Sequence, residues 1–208
     1  MNNTIVSNAG NGIILRVYNY VIDSVFEITD NTIRSNRGDG LHITWSGFPP
    51  MPITRNNIAY NTGAGIYMAI PGTTYGNATP LITQNYIARN AYGILVYRYE
   101  FSSDVPEGIP TIFFNDIHSN INYDLKVLNT GQRRYNATYN YWGTLSANEI
   151  SQKYMTSMMT SVWKKLNIHR FLTCRLGLRV RIFNRLYNRV FNSERHRRSR
   201  RTTLRLQL

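Results

Sequence analysis

The chain has 208 residues and a formal net charge of +13, with 24 Lys and Arg residues against 11 Asp and Glu residues. This length allows one domain with a hydrophobic core. No apolar run is long enough to cross a bilayer, and the N-terminus shows no basic and apolar signal pattern. The only cysteine, Cys174, lies near the C-terminus and says nothing about the redox compartment.

The N-terminal part of the chain repeats one motif, Asn-x-Ile-x-x-Asn, starting at Asn3, Asn31, Asn56, Asn85 and Asn115. The starts are separated by 28, 25, 29 and 30 residues. A repeat of this length is typical of a solenoid, in which each period forms one coil that packs on the next. Because the first copy begins almost at the first residue, we expect the parent protein to start further upstream, with a signal peptide and more coils.

Each period predicts about three short strands. Apolar residues alternate after the motif, as in Leu41-His42-Ile43, which indicates strands with one buried face. Equivalent strands of neighbouring coils should pair in parallel, about 4.8 Å apart. The motif isoleucines should then stack in the core, and the second asparagines should line a bend, where Asn tolerates left-handed dihedral angles and its amide bonds to the amides above and below. These two columns are Ile5, Ile33, Ile58, Ile87 and Ile117, and Asn8, Asn36, Asn61, Asn90 and Asn120.

Three longer loops follow the alternating strand of the second, third and fourth copies, at residues 45–52, 71–77 and 100–108. Because they leave at equivalent places, they should cluster on one side of a rigid scaffold, where binding residues usually lie. Exposed aromatic rings on that side can stack on sugar faces. Alternatively, the rings only cover the shoulders of the coils, as tyrosines in strands often do. The candidate carbohydrate-binding residues are Trp45, Tyr67, Tyr75, Tyr97 and Tyr99.

The repeats end near residue 128 and are followed by Asn140-Tyr141-Trp142-Gly143. With its five registered copies and this closing motif, the chain resembles right-handed parallel β-helix proteins of the carbohydrate-binding and sugar-hydrolase type, which include NosD-like periplasmic proteins and pectate lyases. The resemblance implies an all-β solenoid of about five coils. It implies little about function, because this fold carries many activities.

Residues for catalysis or metal binding are sparse. A lyase or hydrolase of this fold needs clustered carboxylates, and neither outward column of the alternating strand stacks acids. His42 and His118 are expected to be solvated. No Ser/His/Asp order, Cys/His metal spacing or phosphate loop is present, so we predict neither catalysis nor a cofactor for this chain. The two predicted outward columns are Ile14, His42, Tyr67, Leu95 and Lys126, and Arg16, Thr44, Ala69, Tyr97 and Leu128.

The C-terminal part differs sharply in charge from the repeats. Residues 1–150 carry a net charge of −1, whereas residues 151–208 carry 15 Lys and Arg residues and a single acid, Glu194. One interpretation is a basic arm for nucleic acid or anionic lipid. The genetic code favours another, in which one base was lost in the codon of Lys153 and the tail is out of frame.

Restoring that base shifts the reading frame. Each restored codon then consists of the last base of one observed codon and the first two bases of the next. Four junctions then encode acids, and an acidic segment follows the closing motif in NosD-like β-helices. We therefore predict that residues 154–208 are out-of-frame translation without a stable fold. The four junctions are Met155-Thr156, Met158-Met159 and Met159-Thr160, which become Asp, and Trp163-Lys164, which becomes Glu.

These observations predict a β-helix over residues 1–129, a closing segment over 130–153 and a poorly structured basic tail over 154–208. We expect a fragment of an extracellular or cell-surface protein that recognises polysaccharide or another cell-envelope component without catalysis and without a nucleic-acid partner. Self-association through uncapped coil edges is a further expectation. Two alternatives stay open: a fragment of a polysaccharide lyase or glycoside hydrolase, and a NosD-like periplasmic accessory protein for copper-site maturation.

Overall fold

The computed structural model of the protein describes residues 2–17, 26–45, 51–70, 80–98, 110–128 and 137–156. These residues form a parallel β-solenoid of three sheets with one short helix, which confirms the predicted all-β fold. The three predicted loops lie outside the described residues, apart from Trp45, Met51 and Pro52 at the two ends of the first. Within the described ranges, no helix has the length and apolar character needed to pass through a membrane.

Each sheet collects one strand from successive coils. Sheet A holds β1 (Thr4–Val6), β4 (Thr32–Arg34), β7 (Asn57–Ala59), β10 (Tyr86–Ala88) and β13 (Asp116–His118). Sheet B holds β2 (Ile13–Val17), β5 (Leu41–Trp45), β8 (Ala64–Ile70), β11 (Tyr92–Arg98), β14 (Tyr123–Leu128) and β15 (Tyr154–Thr156). Sheet C holds β3 (Ile28–Thr29), β6 (Pro52–Thr54), β9 (Leu81–Thr83) and β12 (Thr111–Phe113), and the helix α1 is Ala147–Gln152.

The motif isoleucines form the predicted column through sheet A. Ile5 pairs with Ile33, and the pairing continues in register through Ile58, Ile87 and Ile117. The last four are fully buried. Because one side chain of the same shape lies above another in each coil, the repeat of the sequence becomes a repeat of the core contacts.

Both asparagines of the motif, not only the second, form continuous hydrogen-bonded ladders. In each ladder the backbone N–H and the Nδ2 of one asparagine donate to the Oδ1 of the next, at 2.8–3.2 Å. The predicted bonding above and below is therefore confirmed. The first ladder runs through Asn3, Asn31, Asn56, Asn85, Asn115 and Asn140, so the asparagine of the closing motif is its last member. The second runs through Asn8, Asn36, Asn61, Asn90 and Asn120.

The prediction that these asparagines take left-handed backbone angles is wrong. The non-glycine residues with positive φ in the described ranges all directly precede a ladder asparagine. The bend therefore lies one residue earlier, and it turns the following asparagine into the interior. These residues are Asn2, Ser7, Asp30, Ser35, Arg55, Tyr60, Gln84, Arg89, Phe114, Ser119 and Tyr139, with φ between 55° and 59°.

The C-terminal end of the described solenoid is covered by the closing segment. Ser146 caps helix α1 by accepting from the N–H of Glu149, and Ile150 of that helix is buried. The ring of Tyr154 packs edge-on against Trp142 with centroids 4.5 Å apart. Strand β15 then pairs with β14. Residues 154–156, which the sequence placed in the basic tail, thus belong to sheet B, whereas residues 157–208 lie outside the described ranges.

Candidate functional site

The outer face of sheet B carries the two predicted outward columns in the predicted register. Pairing joins each member to its equivalent in the next coil. Where two paired strands both carry aromatic or charged residues in a column, those side chains are neighbours on one rigid sheet. We give the name ring face to six outer side chains of this sheet, which contact one another or carry a predicted role. They are His42, Tyr67, Tyr92, Tyr97, Tyr123 and Lys126.

Trp45 does not belong to this surface, and its assignment as a carbohydrate-binding residue is wrong. Its side chain is fully buried at the end of β5, where it continues the inward row of Leu41 and Ile43. A ring without an exposed face cannot stack on a sugar. Two further members of the predicted set, Tyr75 and Tyr99, lie outside the described residues.

Tyr67 and Tyr97 lie on the outer side of sheet B, half-buried, on β8 and β11. Tyr97 pairs with Ala69, which lies two residues after Tyr67 on the neighbouring strand. The two rings therefore lie on neighbouring strands and in neighbouring columns. Both stay candidates for ligand contact.

His42, which was expected to be solvated, is partly exposed but is also held by neighbouring side chains. Its Nδ1 lies 2.8 Å from Oδ2 of Asp39, and its ring stacks on Tyr67 with centroids 4.6 Å apart. Asp39 is itself held by the backbone N–H of Ala64, which donates to Oδ1 at 2.7 Å. The carboxylate therefore fixes the imidazole over the tyrosine ring. In the sequence this contact is visible only as an Asp-x-x-His spacing across a turn. The alternation of a strand does not predict that two residues with this spacing are in contact.

A second cluster on the same face combines two rings and a cation. Tyr92 and Tyr123 pair in register on adjacent strands, and their rings lie roughly parallel at 6.4 Å. The Nζ of Lys126 lies 5.3 Å from the centroid of one ring and 5.5 Å from that of the other. Such cation–π contacts orient the ammonium group while leaving its hydrogens available to an anion or hydroxyl.

Sheet A carries a separate polar cluster near the C-terminal end of the solenoid. Nδ1 of His118 lies 2.9 Å from Oγ of Ser119, and Nε2 lies 3.4 Å from Oδ1 of Asp116. The rings of Tyr86 and Tyr141 meet the imidazole edge-on, at 5.5 and 6.2 Å. His118, which was expected to be solvated, is partly exposed and has these contacts in addition. These contacts join residues of three coils and are invisible in the linear sequence.

The described residues hold no group of three or more His, Cys, Asp or Glu side chains placed to bind a metal ion. In that part of the chain, the ionisable groups of the two clusters engage one another in pairs rather than converging on a common point.

Comparison with known proteins addresses the family of the chain. Residues 1–140 match the family model described as right handed beta helix region. The comparison with curated proteins finds no significant match, and neither does the comparison with solved structures. The family match covers more than half of the chain and coincides with the stacked coils, the asparagine ladders and the first member of the closing motif. The chain therefore belongs to the right-handed β-helix family.

Proposed function

We propose that this β-helix recognises a polysaccharide or a related cell-envelope glycan through the ring face of sheet B. One observation carries the proposal: tyrosine side chains lie on the outer side of three successive strands of one sheet, with Tyr67 on β8, Tyr92 and Tyr97 on β11, and Tyr123 on β14. Flat rings on a rigid support offer contact area with little conformational entropy to lose on binding.

The spacing of the strands suits an extended polymer. Neighbouring strands lie about 4.8 Å apart, so a chain of sugar rings that crosses the strands meets a new set of side chains at each coil. Half-buried tyrosines can contact the apolar face of a sugar ring, while their hydroxyls bond to its edge.

Polar groups flank the rings on both sides along the column. Both carboxylate oxygens of Asp39 are engaged, so this residue positions His42, whose Nε2 is the ring nitrogen that remains for a ligand hydroxyl. Lys126 lies two coils beyond Tyr67 in the same column and supplies an ammonium group. These groups favour a glycan with hydroxyls along its length and an anionic or hydroxyl group at the Lys126 end.

Recognition of this kind needs no catalytic group on sheet B. The alternative of a lyase or hydrolase fragment calls for paired carboxylates across a cleft. The ring face itself contains no carboxylate, and Asp39, which holds His42 of that face, is already bonded through both oxygens. The alternative of a copper-site accessory protein gains no specific support from the described residues. A glycan ligand is consistent with an extracellular or cell-surface parent, which we propose for this chain.

The experiment is glycan binding by the purified full chain, measured on a glycan array and then by affinity electrophoresis in the best polysaccharide. Tyr67→Ala and Tyr97→Ala should each weaken binding roughly two- to tenfold, as expected for the loss of one stacking ring. Tyr60→Ala is the matched control, because Tyr60 is an exposed tyrosine that precedes a ladder asparagine and lies outside sheet B. A blank array, or tyrosine variants of sheet B that bind as well as the control, would contradict the proposal.

A further inference from the structure

We propose that Asp116, His118 and Ser119 form a serine-dependent site that hydrolyses small carboxylic esters. The cluster lies on sheet A, apart from the ring face, and the proposal does not depend on glycan binding. It rests on three side chains of the required types that contact one another in the required order: hydroxyl, imidazole and carboxylate.

The contacts assign a role to each group. Oγ of Ser119 lies 2.9 Å from Nδ1 of His118, within hydrogen-bond distance. Nε2 of the same ring lies 3.4 Å from Oδ1 of Asp116, which is within ion-pair distance but lacks hydrogen-bond geometry; in free enzymes such contacts are often long and tighten when a substrate is bound. In the tautomer that carries its proton on Nε2, on the side of the carboxylate, Nδ1 has the lone pair and accepts the proton of the serine hydroxyl. His118 is thus the general base, and Asp116 is a positioning residue.

The fold explains why these residues meet. Asp116 and His118 alternate on β13 and therefore point to the same side of the strand. Ser119 follows at the left-handed bend, with φ of 56°, which turns its hydroxyl back towards the imidazole. Gly143 makes room for the ring, since a Cβ at that position would lie 2.8 Å from Cβ of His118. Two neighbouring coils supply Tyr86 and Tyr141, which wall the imidazole on both sides.

The backbone N–H at this bend is bonded between coils in only part of the solenoid. In three earlier coils it donates to a carbonyl of the next coil, from Ser7 to Arg34, from Ser35 to Ala59 and from Tyr60 to Ala88. As at the equivalent Arg89 one coil earlier, no carbonyl of the described residues accepts from the N–H of Ser119. This donor lies beside the hydroxyl of its own residue, where an N–H of the nucleophile can bind the oxyanion of a tetrahedral intermediate.

The reaction balances with water as the only co-reactant. Oγ of Ser119 attacks the ester carbonyl carbon, and its proton passes to Nδ1 of His118. The carbon–oxygen bond to the alcohol then breaks, and the alcohol leaves with the proton from Nδ1. Water attacks the acyl-serine with His118 again as base, and the products are a carboxylic acid and free Ser119. Because Ser119 is exposed on an open surface, the substrate class is a small acyl group, such as acetyl, on an accessible alcohol.

The test uses the full chain and two readouts, labelling by a fluorophosphonate probe mapped to the modified serine, and hydrolysis of p-nitrophenyl acetate. The probe should label Ser119, and Ser119→Ala should remove that label and lower hydrolysis roughly a hundredfold. Ser35→Ala is the matched control, because Ser35 occupies the equivalent bend at φ of 57° but follows Arg34 instead of a histidine. It should change neither readout.

Asp116→Asn should slow labelling of Ser119, and Asp116→Glu should restore part of the rate, a pattern that a purely structural role would not produce. Three results would overturn the proposal: no label on Ser119, equal labelling of Ser35 and Ser119, or hydrolysis by Ser119→Ala as fast as by the parent protein.

Discussion

Asp124 closes the second asparagine ladder by accepting on Oδ1 both donors of Asn120, the backbone N–H at 3.2 Å and Nδ2 at 2.7 Å. In earlier coils those donors bond to the next asparagine. Asp124 lies at the position of Gly93 one coil before, since the residues on either side pair in register. A Cβ on Gly93 would lie 2.8 Å from Nδ2 of Asn120, so in the last coil the Asp124 side chain fills the space reserved for an asparagine. A carboxylate only accepts, so the ladder ends without an unpaired donor.

Asp124→Ala should therefore destabilise the end of the solenoid more than Asp124→Asn. The alanine variant removes the acceptor of the buried backbone N–H of Asn120 and leaves Nδ2 with only the carbonyls of Ile87 and His118, each at 3.3 Å, whereas asparagine keeps an acceptor oxygen in place. We expect the alanine variant to have a free energy of unfolding lower by about 1–3 kcal/mol than the asparagine variant. Urea unfolding of both variants measures the difference. Equal stabilities would show that water or a shift of the backbone satisfies Asn120 equally well.

The same carboxyl should make stability depend on pH. Burial raises the pKa of Asp124 above its ordinary value of 3.8, against opposing hydrogen bonds from Asn120. The folded state therefore binds the proton more tightly than the unfolded state. The stability that protonation contributes is fully present below pH 3.8 and is lost as the pH rises through the folded pKa.

The asparagine of the Asp124→Asn variant cannot titrate, so the variant should lack this pH-dependent contribution to stability. The stability of the variant minus that of the parent should increase as the pH rises from about 3 to about 7. Urea midpoints and slopes at several pH values give this difference directly, and other titrating groups cancel in it. A difference that stays constant over this range would contradict a raised pKa of the carboxyl.

The stacking of the coils was predictable because the Asn-x-Ile-x-x-Asn motif recurs in every coil at nearly the same period. Once Ile33 and Ile58 are assigned to one column, parallel pairing fixes the partners of every residue on the same strand. The error at Trp45 came from ignoring this rule. Counting by twos from Leu41 and Ile43 places Trp45 inside, but its position beside Pro-rich residues suggested a loop.

The polar clusters were not predictable in the same way. Strand alternation states which side of a sheet a residue occupies, but not how a turn aims its side chain. Asp39 reaches His42 across such a turn, and Ser119 reaches His118 through a left-handed bend. The bend itself was assigned one residue late, because asparagine is the common residue for that conformation, whereas here the asparagines are used for bonding.

The left-handed bends give a further prediction, tested at Gln84. This residue has φ of 58°, and its N–H donates to the carbonyl of Phe114. Glycine adopts this conformation freely, whereas a β-branched side chain collides with the backbone, so Gln84→Val should be less stable than Gln84→Gly by about 1–2 kcal/mol. Thermal unfolding measures the difference, and Thr111→Val, on the extended strand β12, is the control. A valine variant as stable as the glycine variant would mean that the bend is not fixed.

The last prediction concerns the reading frame after Lys153. Tyr154 pairs with Leu125 and is 9% exposed, yet its hydroxyl has no hydrogen-bond partner among the described residues. Burial raises its pKa well above the usual value. An unpaired buried hydroxyl costs free energy, so a tyrosine is a poor choice for this inward position.

Restoring one base within the codon of Lys153 replaces this tyrosine. A lysine codon ends in A or G, and joining that base to the first two bases of a tyrosine codon gives ATA or GTA, which encode Ile or Val. An aliphatic residue would then pair with Leu125 in the buried row without any polar atom to satisfy. The next two restored codons encode Tyr or His, beside Lys126, and then Asp, beside Val127 at the last residue of β15.

Resequencing the gene should therefore find the extra base, and the restored frame should be open and rich in Asp and Glu. The protein made from it should unfold at higher urea concentration than the present chain, because the buried hydroxyl is gone, and should lose most of the positive charge of residues 151–208. Tyr154→Val in the present chain isolates the first effect, since it changes the buried side chain and leaves the tail intact. The frameshift is excluded if the raw reads confirm the present frame. It is also excluded if the tail binds DNA with an affinity that falls steeply with salt, because a selected basic arm would then explain the charge.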